Sequence, residues 1–290
     1  MKSRLAIWTH AIRPRTLAIS ICPVIIGSTL ALTDGYFDFP IFLSTIFASL
    51  FIQIGTNLAN DYFDFINGAD TAEHKGPLKV TQAGLVSHLA MKCAICLTFG
   101  LSALFGAYLI WEGGAAIALI QVLAILFGIL YTAGPKPLGY IGLGDPLVFI
   151  FFGPIAVAGS YFLQTHALRL DAILAGISTG AFSIALIGVC NLRDMEEDAK
   201  IGKKTLQVRF GRRFGKYEYL VAMLMVFIVP LFFVHERPFA LITEALVPLA
   251  IRQSRHVFIH DEPKEMLAML PKTARLLILY TLLFCTGWML

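Results

Sequence analysis

Charged residues are scarce in this chain of 290 residues, at 14% of the total, whereas 57% of the residues are hydrophobic. An ordinary soluble domain carries about 25% charged residues, so the composition excludes that class and indicates an integral membrane protein. The net charge is only +4, and no nucleic-acid partner is expected. The positions of the few charges are therefore more informative than their sum.

Cysteine is also sparse, and its spacing shows no disulfide framework. Cys93 and Cys96 form a single C-x-x-C pair within an apolar stretch, which we interpret as packing. No His and Cys residues have the spacing of a zinc site, and no Ser, His and Asp arrangement suggests a covalent nucleophile. A cleavable signal peptide is not expected, because a full-length apolar span follows Arg13 and Arg15.

Long apolar segments recur along the whole chain, and a segment of about 20 such residues spans a bilayer. Helices are expected rather than a barrel, because the runs are unbroken and every backbone group must be satisfied internally. The sequence predicts an all-α, polytopic membrane protein with nine transmembrane helices in one domain, 1–290. The predicted spans are 16–33, 40–61, 89–111, 115–133, 145–164, 171–192, 217–234, 237–251 and 274–290.

Lysine and arginine are distributed asymmetrically around these spans. With the N-terminus in the cytoplasm, all 23 of them lie on the cytoplasmic side except Arg169 and Arg237. This asymmetry follows the positive-inside rule and supports the number of spans. The second, fourth, sixth and eighth spans then all end at the cytoplasmic face.

Two acidic clusters stand at the ends of the second and sixth spans. Carboxylates beside a membrane are costly unless function uses them. Within each cluster, residues three or four positions apart share one helix face, so we expect two polar stripes that face a common cytoplasmic cavity. The first cluster comprises Asn57, Asn60, Asp61 and Asp64, and the second comprises Asn191, Asp194 and Asp198.

Aspartates that face one cavity repel each other, by about 4 kcal/mol for a pair about 4 Å apart at an effective dielectric of 20. Bound cations or protonation must relieve this repulsion. Hard oxygen ligands suit Mg²⁺, which keeps waters and bridges to phosphate oxygens. For one cluster alone, a solvated helix end with ordinary surface acids remains the alternative. The two clusters together favour a site for a divalent metal and a diphosphate.

Cationic and aromatic side chains lie near both clusters in the sequence. Lys136 follows a Gly-Pro turn and Arg193 lies inside the second cluster, and both are favoured as diphosphate ligands. For the remaining cations, the alternative is that the positive-inside rule accounts for their position and that they have no catalytic role. Tyr131 precedes the Gly-Pro-Lys turn and is favoured for the site, whereas Tyr62 and Tyr140 are interpreted as interfacial anchors. Roles for Lys203, Lys204, His74, Lys75 and Lys79 are left open.

Seven motifs are spread over nearly the whole chain. They are RPRTL at 13–17, NDYFDFINGAD at 60–70, YTAGPKPLGY at 131–140, FGP at 152–154, NLRDMEED at 191–198, GKKTL at 202–206 and RFG at 209–211. Together they resemble the UbiA superfamily of membrane aromatic prenyltransferases, and within it the branch that acts on 1,4-dihydroxy-2-naphthoate in menaquinone synthesis.

The resemblance implies a nine-helix fold with a central, lipid-accessible cavity, in a bacterial inner membrane. It implies transfer of a polyprenyl group from its diphosphate to an aromatic acceptor, with Mg²⁺ as cofactor. By the same resemblance, Tyr131 would line the site near the developing cation. The implied metal ligands are Asp61, Asp64, Asp194 and Asp198, and the implied diphosphate ligands or supports are Asn57, Asn60, Asn191, Arg13, Lys136 and Arg193. Lys203, which closely follows the second cluster, is added as an expected diphosphate ligand.

Two alternatives stay open at this stage. The acceptor could instead be 4-hydroxybenzoate, homogentisate or 1,4-dihydroxy-6-naphthoate, with the same chemistry. A cation-coupled transporter is a more distant alternative, because intramembrane acids often mark ion paths. Transporters place such groups near the midplane, whereas these clusters stand at the ends of spans.

Overall fold

Helices form all the regular structure of the computed structural model, which describes residues 3–69, 76 and 78–290. No strand occurs in those ranges, so the all-α prediction is confirmed. Short 3₁₀ segments join several of the helices. The α-helices are α1 (Arg4–Ile12), α2 (Ala18–Thr33), α3 (Phe39–Ile66), α4 (His88–Leu130), α5 (Gly144–Ile150), α6 (Ala156–Thr165), α7 (Leu170–Lys200), α8 (Leu206–Phe210), α9 (Arg212–Ile228), α10 (Val247–Ile259) and α11 (Pro263–Met289).

Six helical segments in the described part of the chain are long and apolar enough to cross a membrane. A seventh is obtained if α1 and α2, which are bent by 49°, form one broken span. By this criterion the predicted number of nine is not confirmed. One reason is that 237–251 forms a 3₁₀ segment (Pro238–Leu246) followed by α10, and neither reaches the length of a span. The other reason is that the spans predicted at 89–111 and 115–133 both lie in α4.

α4 is a helical hairpin rather than one straight rod. Gly114 breaks it with φ 67° and ψ −155°, a conformation that is accessible mainly to glycine. The Gln121 amide donates to the Ser102 carbonyl at 3.2 Å and to its hydroxyl at 3.0 Å. In a straight helix these residues would lie about 28 Å apart. The first arm (88–113) and the second arm (115–130) therefore lie side by side.

The main hydrophobic core packs α7 against α2, α9 and α11. Its largest fully buried side chains include Tyr219 and Tyr280, whose hydroxyls find partners on neighbouring helices, as buried polar groups require. The Tyr280 hydroxyl lies 2.8 Å from the Ser178 hydroxyl, and the Tyr219 hydroxyl lies 3.0 Å from that of Thr273. Large hydrophobic side chains such as Trp111 stay exposed on the outside, as a lipid-facing surface requires.

α5 and α6 are joined by one π-helical turn, Phe151–Ile155, which contains Gly153 and Pro154. Here α7 approaches closely, because a Cβ atom at Gly176 would lie 2.6 Å from the Pro154 Cα. Proline and π-turns are recognised causes of helix bends. The non-helical backbone of Gly153 (φ −111°, ψ −114°) marks the break between α5 and α6.

At the end of α7 opposite to its acidic cluster, an ion-pair network ties the chain together. The Arg169 guanidinium donates to both Asp34 oxygens, at 2.9 and 2.7 Å, and also pairs with Asp171. Burial alone would lower the pKa of Arg169, but the Asp34 and Asp171 carboxylates raise it above its ordinary value. One of the two cations predicted on the outer side is thus neutralised locally.

Candidate active site

Asp64 is the centre of the first cluster, in the last turns of α3. One of its oxygens accepts hydrogen bonds from the Asn60 amide at 2.9 Å and from the Lys79 ammonium at 3.0 Å. The other oxygen accepts from the Tyr140 hydroxyl at 2.8 Å. Asp64 and Lys79 are both buried, so this ion pair is shielded from solvent. The α3 carboxylate is therefore held by groups from two different loops.

Asn57 and Asn60 connect α3 to the bend between α1 and α2. The Asn57 amide donates to the Ile12 carbonyl at 2.8 Å, and Asn60 accepts from the Arg13 guanidinium at 2.8 Å. Arg13 has φ 56°, which is unusual for a residue other than glycine. Pro14 disfavours a right-handed helical conformation at Arg13, and the two asparagines hold the bend. The first cluster thus positions the Arg13 cation, and the same Asn60 oxygen also accepts from the Lys79 ammonium at 3.3 Å.

Asp61 departs from the predicted arrangement. We predicted that it shares a face with Asn57, Asn60 and Asp64 and binds metal, but both of its oxygens are engaged elsewhere. They accept backbone N–H bonds from Val80 at 3.0 Å and Thr81 at 2.9 Å. Its position one residue after Asn60 rotates it by about 100° on a helix with 3.6 residues per turn. Asp61 therefore holds the segment that carries Lys79.

The Asp61→Asn variant should mainly disturb this segment. An asparagine amide has only one acceptor oxygen, so the N–H of either Val80 or Thr81 would face the NH₂ group of the amide and lose its hydrogen bond. This loss should lower the free energy of unfolding by about 1–3 kcal/mol. We expect a lower melting temperature and a higher KM for the prenyl donor, with kcat largely kept. Thermal unfolding in detergent and steady-state kinetics measure both. A complete loss of kcat at an unchanged melting temperature would instead make Asp61 a metal ligand.

The second cluster occupies the last turns of α7, where Asn191, Arg193 and Asp198 are buried. The Arg193 guanidinium donates two hydrogen bonds of 2.6 Å to the neighbouring Asp194 carboxylate. One Asp198 oxygen pairs with the Lys203 ammonium at 3.2 Å. The other Asp198 oxygen and one Arg193 nitrogen, Nη1, are buried and have no hydrogen-bond partner among the residues that the structure describes. An acceptor and a donor thus remain unsatisfied at this helix end.

Tyr140 joins the two clusters. Its hydroxyl donates to Asp64, and the Lys203 ammonium lies 5.2 Å from the centre of its ring, within cation–π range. Because Lys203 also pairs with Asp198, one chain of contacts runs from α3 to α7. Burial would lower the pKa of Lys203, but the carboxylates of Asp198, Asp64 and Asp194 raise it above its ordinary value, so this cation stays protonated. The acidic ends of α3 and α7 meet at one place.

The connection between α4 and α5 carries Tyr131, Lys136 and Tyr140. The Gly139 N–H donates to the Tyr131 carbonyl at 3.0 Å, and a Cβ atom at Gly144 would lie 3.0 Å from the Tyr131 hydroxyl. Tyr131 therefore packs under this connection, next to Tyr140. Lys136 is exposed on the Gly-Pro turn that precedes Tyr140. Within the described ranges, it makes no ion pair with either cluster.

Sequence reasoning missed Lys79 and Tyr140 as parts of the site. Lys79 had been left open and Tyr140 interpreted as an anchor, yet both bind Asp64. The only available signal was their presence in loops that connect the two clusters. His74 and Lys75, whose roles were also left open, lie outside the described residues.

A family profile and full-length relatives of known name test the predicted resemblance. The profile of the UbiA prenyltransferase family matches residues 20–288. A 1,4-dihydroxy-2-naphthoate octaprenyltransferase of Escherichia coli K12 is 35% identical, over 98% of this chain and 96% of that protein. The protein of the same name from Haemophilus influenzae is 33% identical, over 99% and 97% respectively. The resemblance to the superfamily and to its naphthoate branch is thereby confirmed.

Solved structures show the same fold. A UbiA homologue from Archaeoglobus fulgidus, determined with GPP and Mg²⁺, matches 97% of this chain and 99% of its own with a TM-score of 0.66 and 14% identity. A digeranylgeranylglyceryl phosphate synthase matches 98% of both chains with a TM-score of 0.62 and 18% identity. Sequence profile, full-length alignments and fold agree, and the chain belongs to the UbiA prenyltransferase family.

Proposed function

We propose that this enzyme transfers a polyprenyl group from its diphosphate to 1,4-dihydroxy-2-naphthoate, in menaquinone biosynthesis. The acceptor follows from the names of the Escherichia coli and Haemophilus influenzae relatives. The observation that carries the proposal is the meeting of the acidic ends of α3 and α7 through Tyr140 and Lys203. Carboxylates and cations in one place suit a metal-bound diphosphate.

Mg²⁺ is the proposed cofactor, with Asp64, Asp194 and Asp198 as its protein ligands. Within the described ranges, no group of three acidic, His or Cys side chains is arranged to hold a metal alone. Mg²⁺ commonly uses one or two carboxylates and completes its shell with waters and substrate phosphates. The unsatisfied Asp198 oxygen and the hard-oxygen donor set fit this mode. Bound in this way, Mg²⁺ would neutralise charge on the leaving diphosphate.

The cationic side chains have the complementary task of binding diphosphate oxygens. Arg193 offers an unsatisfied buried donor, and Lys203 stands between the clusters. Arg13 and Lys79 approach from the α3 side through Asn60. Such preorganised donors stabilise charge as it develops on a leaving group. Asn191 would support the second cluster, and the exposed Lys136 would reach the diphosphate only from the turn.

The reaction then needs no covalent enzyme intermediate. The allylic C–O bond breaks with its electron pair going to diphosphate, and the ring carbon that bears the carboxylate attacks the prenyl cation. Loss of CO₂ restores the aromatic ring, because the electron pair of the C–C bond returns to it, and the product is demethylmenaquinol. Tyr131, which packs under the α4–α5 connection, would line the site near this cation. The apolar bundle would exclude water.

The proposed setting is a bacterial inner membrane, with the N-terminus and the active site cytoplasmic. Residues 1–290 would form one prenyltransferase domain that crosses the bilayer nine times. Each arm of α4 would account for one crossing, and the Pro238–Leu246 segment with α10 for another. The distribution of Lys and Arg supports this orientation.

An assay of the purified protein with octaprenyl diphosphate and several acceptors tests the proposal. We expect decarboxylated, prenylated product from 1,4-dihydroxy-2-naphthoate, detected by mass spectrometry, and little from 4-hydroxybenzoate or homogentisate. EDTA should abolish turnover and excess Mg²⁺ should restore it, because the carboxylates cannot replace the metal. Preferred use of another acceptor would overturn the proposed acceptor. Turnover that resists EDTA would overturn the proposed dependence on Mg²⁺.

A further inference from the structure

Four exposed cations lie on the last two helices, α10 and α11. Arg252 and Arg255 are three residues apart on α10, and Lys272 and Arg275 are three residues apart on α11. Residues at this spacing are neighbours on a helix surface, so each pair occupies one face of its helix. Within the part of the chain that the structure describes, none of the four makes an ion pair.

The two pairs of cations meet where α10 packs against α11. The helices are joined by residues 260–262 alone and contact each other, so they form a hairpin. The Gln253 amide on α10 donates to the Lys272 carbonyl on α11 at 3.3 Å, and Gln253 directly follows Arg252. Lys272 also interacts electrostatically with His256 on α10. Arg252 and Lys272 therefore stand at the same height, on either side of the seam between the two helices.

The carboxylates near the turn of this hairpin do not neutralise the four cations, because each has another partner. The pairs are Asp261 with Lys216, Glu262 with Lys264 and Glu265 with His256. The positive-inside rule explains why cations lie at this end of the helices, but it does not require them to gather without acids. The seam thus keeps a local excess of positive charge that an external anion can neutralise.

The exposed surface of α11 changes from charged to apolar at the height of the seam. After Lys272 and Arg275, the next exposed side chains on this helix are Ile278, Leu279 and Leu282. With a rise of 1.5 Å per residue, Leu279 lies only about 6 Å beyond Arg275 along the axis. The cations therefore stand at the border of the lipid-facing surface, which is the level of the lipid headgroups.

The other helix of the seam shows the same change, in the opposite chain direction. Leu249 and Ile251 are exposed directly before Arg252, and Arg255 follows about one turn later. Long cationic side chains at such a border lay their methylene groups along the apolar surface and extend their charge towards the headgroups. Both helices thus offer an apolar part and a cationic part in the order in which a phospholipid presents its acyl chains and its anionic headgroup.

We propose that the seam between α10 and α11 binds the headgroup of an anionic phospholipid from the leaflet on its own side, which is the cytoplasmic leaflet in the proposed orientation. Basic pockets between helices on this side of a membrane are favourable sites for such headgroups. Guanidinium groups bind phosphate oxygens through paired hydrogen bonds, and Arg252 and Arg275 supply such groups from both helices. The inference goes beyond prenyl transfer and needs only that α11 crosses the membrane.

The double variant Arg252→Gln with Lys272→Gln removes the two charges at the centre of the seam and keeps polar, exposed side chains. The matched control is Lys92→Gln with Arg213→Gln, which also removes two positive charges. Both control residues are exposed, lie on α4 and α9, and stand over tyrosine rings rather than at the seam. The melting temperature of each variant without added lipid shows whether it is folded.

The experiment titrates each purified protein, in a neutral detergent, with phosphatidylglycerol or with phosphatidylcholine. Native mass spectrometry counts the bound lipids and gives a Kd for each. The wild type should bind the anionic lipid more tightly than the zwitterionic one. In the seam variant, the Kd for phosphatidylglycerol should rise by about tenfold or more, because two cations near the headgroup are lost. The Kd for phosphatidylcholine should stay the same, and the control variant should keep both wild-type values.

Three results would overturn the proposal. The first is an unchanged Kd for phosphatidylglycerol in the seam variant. The second is an equal rise in the control variant, because affinity would then follow the net charge. The third is displacement of phosphatidylglycerol by an equal concentration of inorganic diphosphate, which would assign the cations to a free phosphate anion. Prenyl transfer is measured separately, so failure of the proposed function would leave these lipid-binding results unaffected.

Discussion

The Asp64→Asn variant is expected to lose prenyl transfer almost completely, with kcat/KM reduced by about two to three orders of magnitude. Asparagine keeps the shape of the side chain, but it removes the charge that would bind Mg²⁺ and leaves Lys79 without its carboxylate partner. Product formation from a radiolabelled polyprenyl diphosphate measures the loss. The Glu262→Gln variant is the control, because its exposed pair with Lys264 contributes little.

Breaking a buried ion pair is itself destabilising, by about 3–5 kcal/mol, so the fold of this variant must be examined separately. The double variant Asp64→Asn with Lys79→Met removes both charges and should recover part of the melting temperature. It should nevertheless remain inactive, because the metal ligand is still absent. Recovery of activity in the double variant would show that Asp64 only neutralises Lys79.

The Asp198→Asn variant is expected to be nearly as inactive, for a different reason. One buried oxygen of Asp198 has no hydrogen-bond partner among the described residues, so this carboxylate has free capacity for a metal. Its loss should raise the Mg²⁺ concentration for half-maximal activity and lower kcat by about two orders of magnitude. A Mg²⁺ titration of prenyl transfer measures both effects.

The control for this variant lies two residues earlier on the same helix. Glu196 is exposed and pairs with Arg212, so Glu196→Gln removes one carboxylate from the same helix end without touching the site. It should leave the Mg²⁺ dependence unchanged. A normal Mg²⁺ dependence in Asp198→Asn, or an equal shift in Glu196→Gln, would contradict the role of Asp198 as ligand.

The global arrangement of the site follows from information that is spread along the sequence. Apolar runs and the asymmetry of Lys and Arg predict that the ends of α3 and α7 lie at one membrane face. Helical periodicity then places Asp64 and Asp198 on inward stripes, and the contacts through Tyr140 join them. The two arms of α4 were likewise predicted as separate spans, 89–111 and 115–133, and the helix breaks between them at Gly114.

The local details depend on loops, for which periodicity gives no information. Which acid faces the site depends on where Val80 and Thr81 offer their amides, and helical periodicity could not show that Asp61 accepts both of these N–H groups. Tyr140 resembles any interfacial tyrosine until the loop brings its hydroxyl to Asp64. The number of spans differs because α10 and its 3₁₀ segment are too short to be recognised by length and hydropathy, and because α4 is counted as one helix although it holds two predicted spans.

The anchoring of Val80 and Thr81 by Asp61 has a consequence for insertions and deletions in related enzymes. Lys79 directly precedes the anchored amides, so its register is fixed from the C-terminal side of the loop. Extra residues upstream, between 69 and 78, would leave that register intact, and length variation should be tolerated there. A single residue inserted between 79 and 80 would withdraw the ammonium from Asp64, so this junction should keep a constant length among homologues.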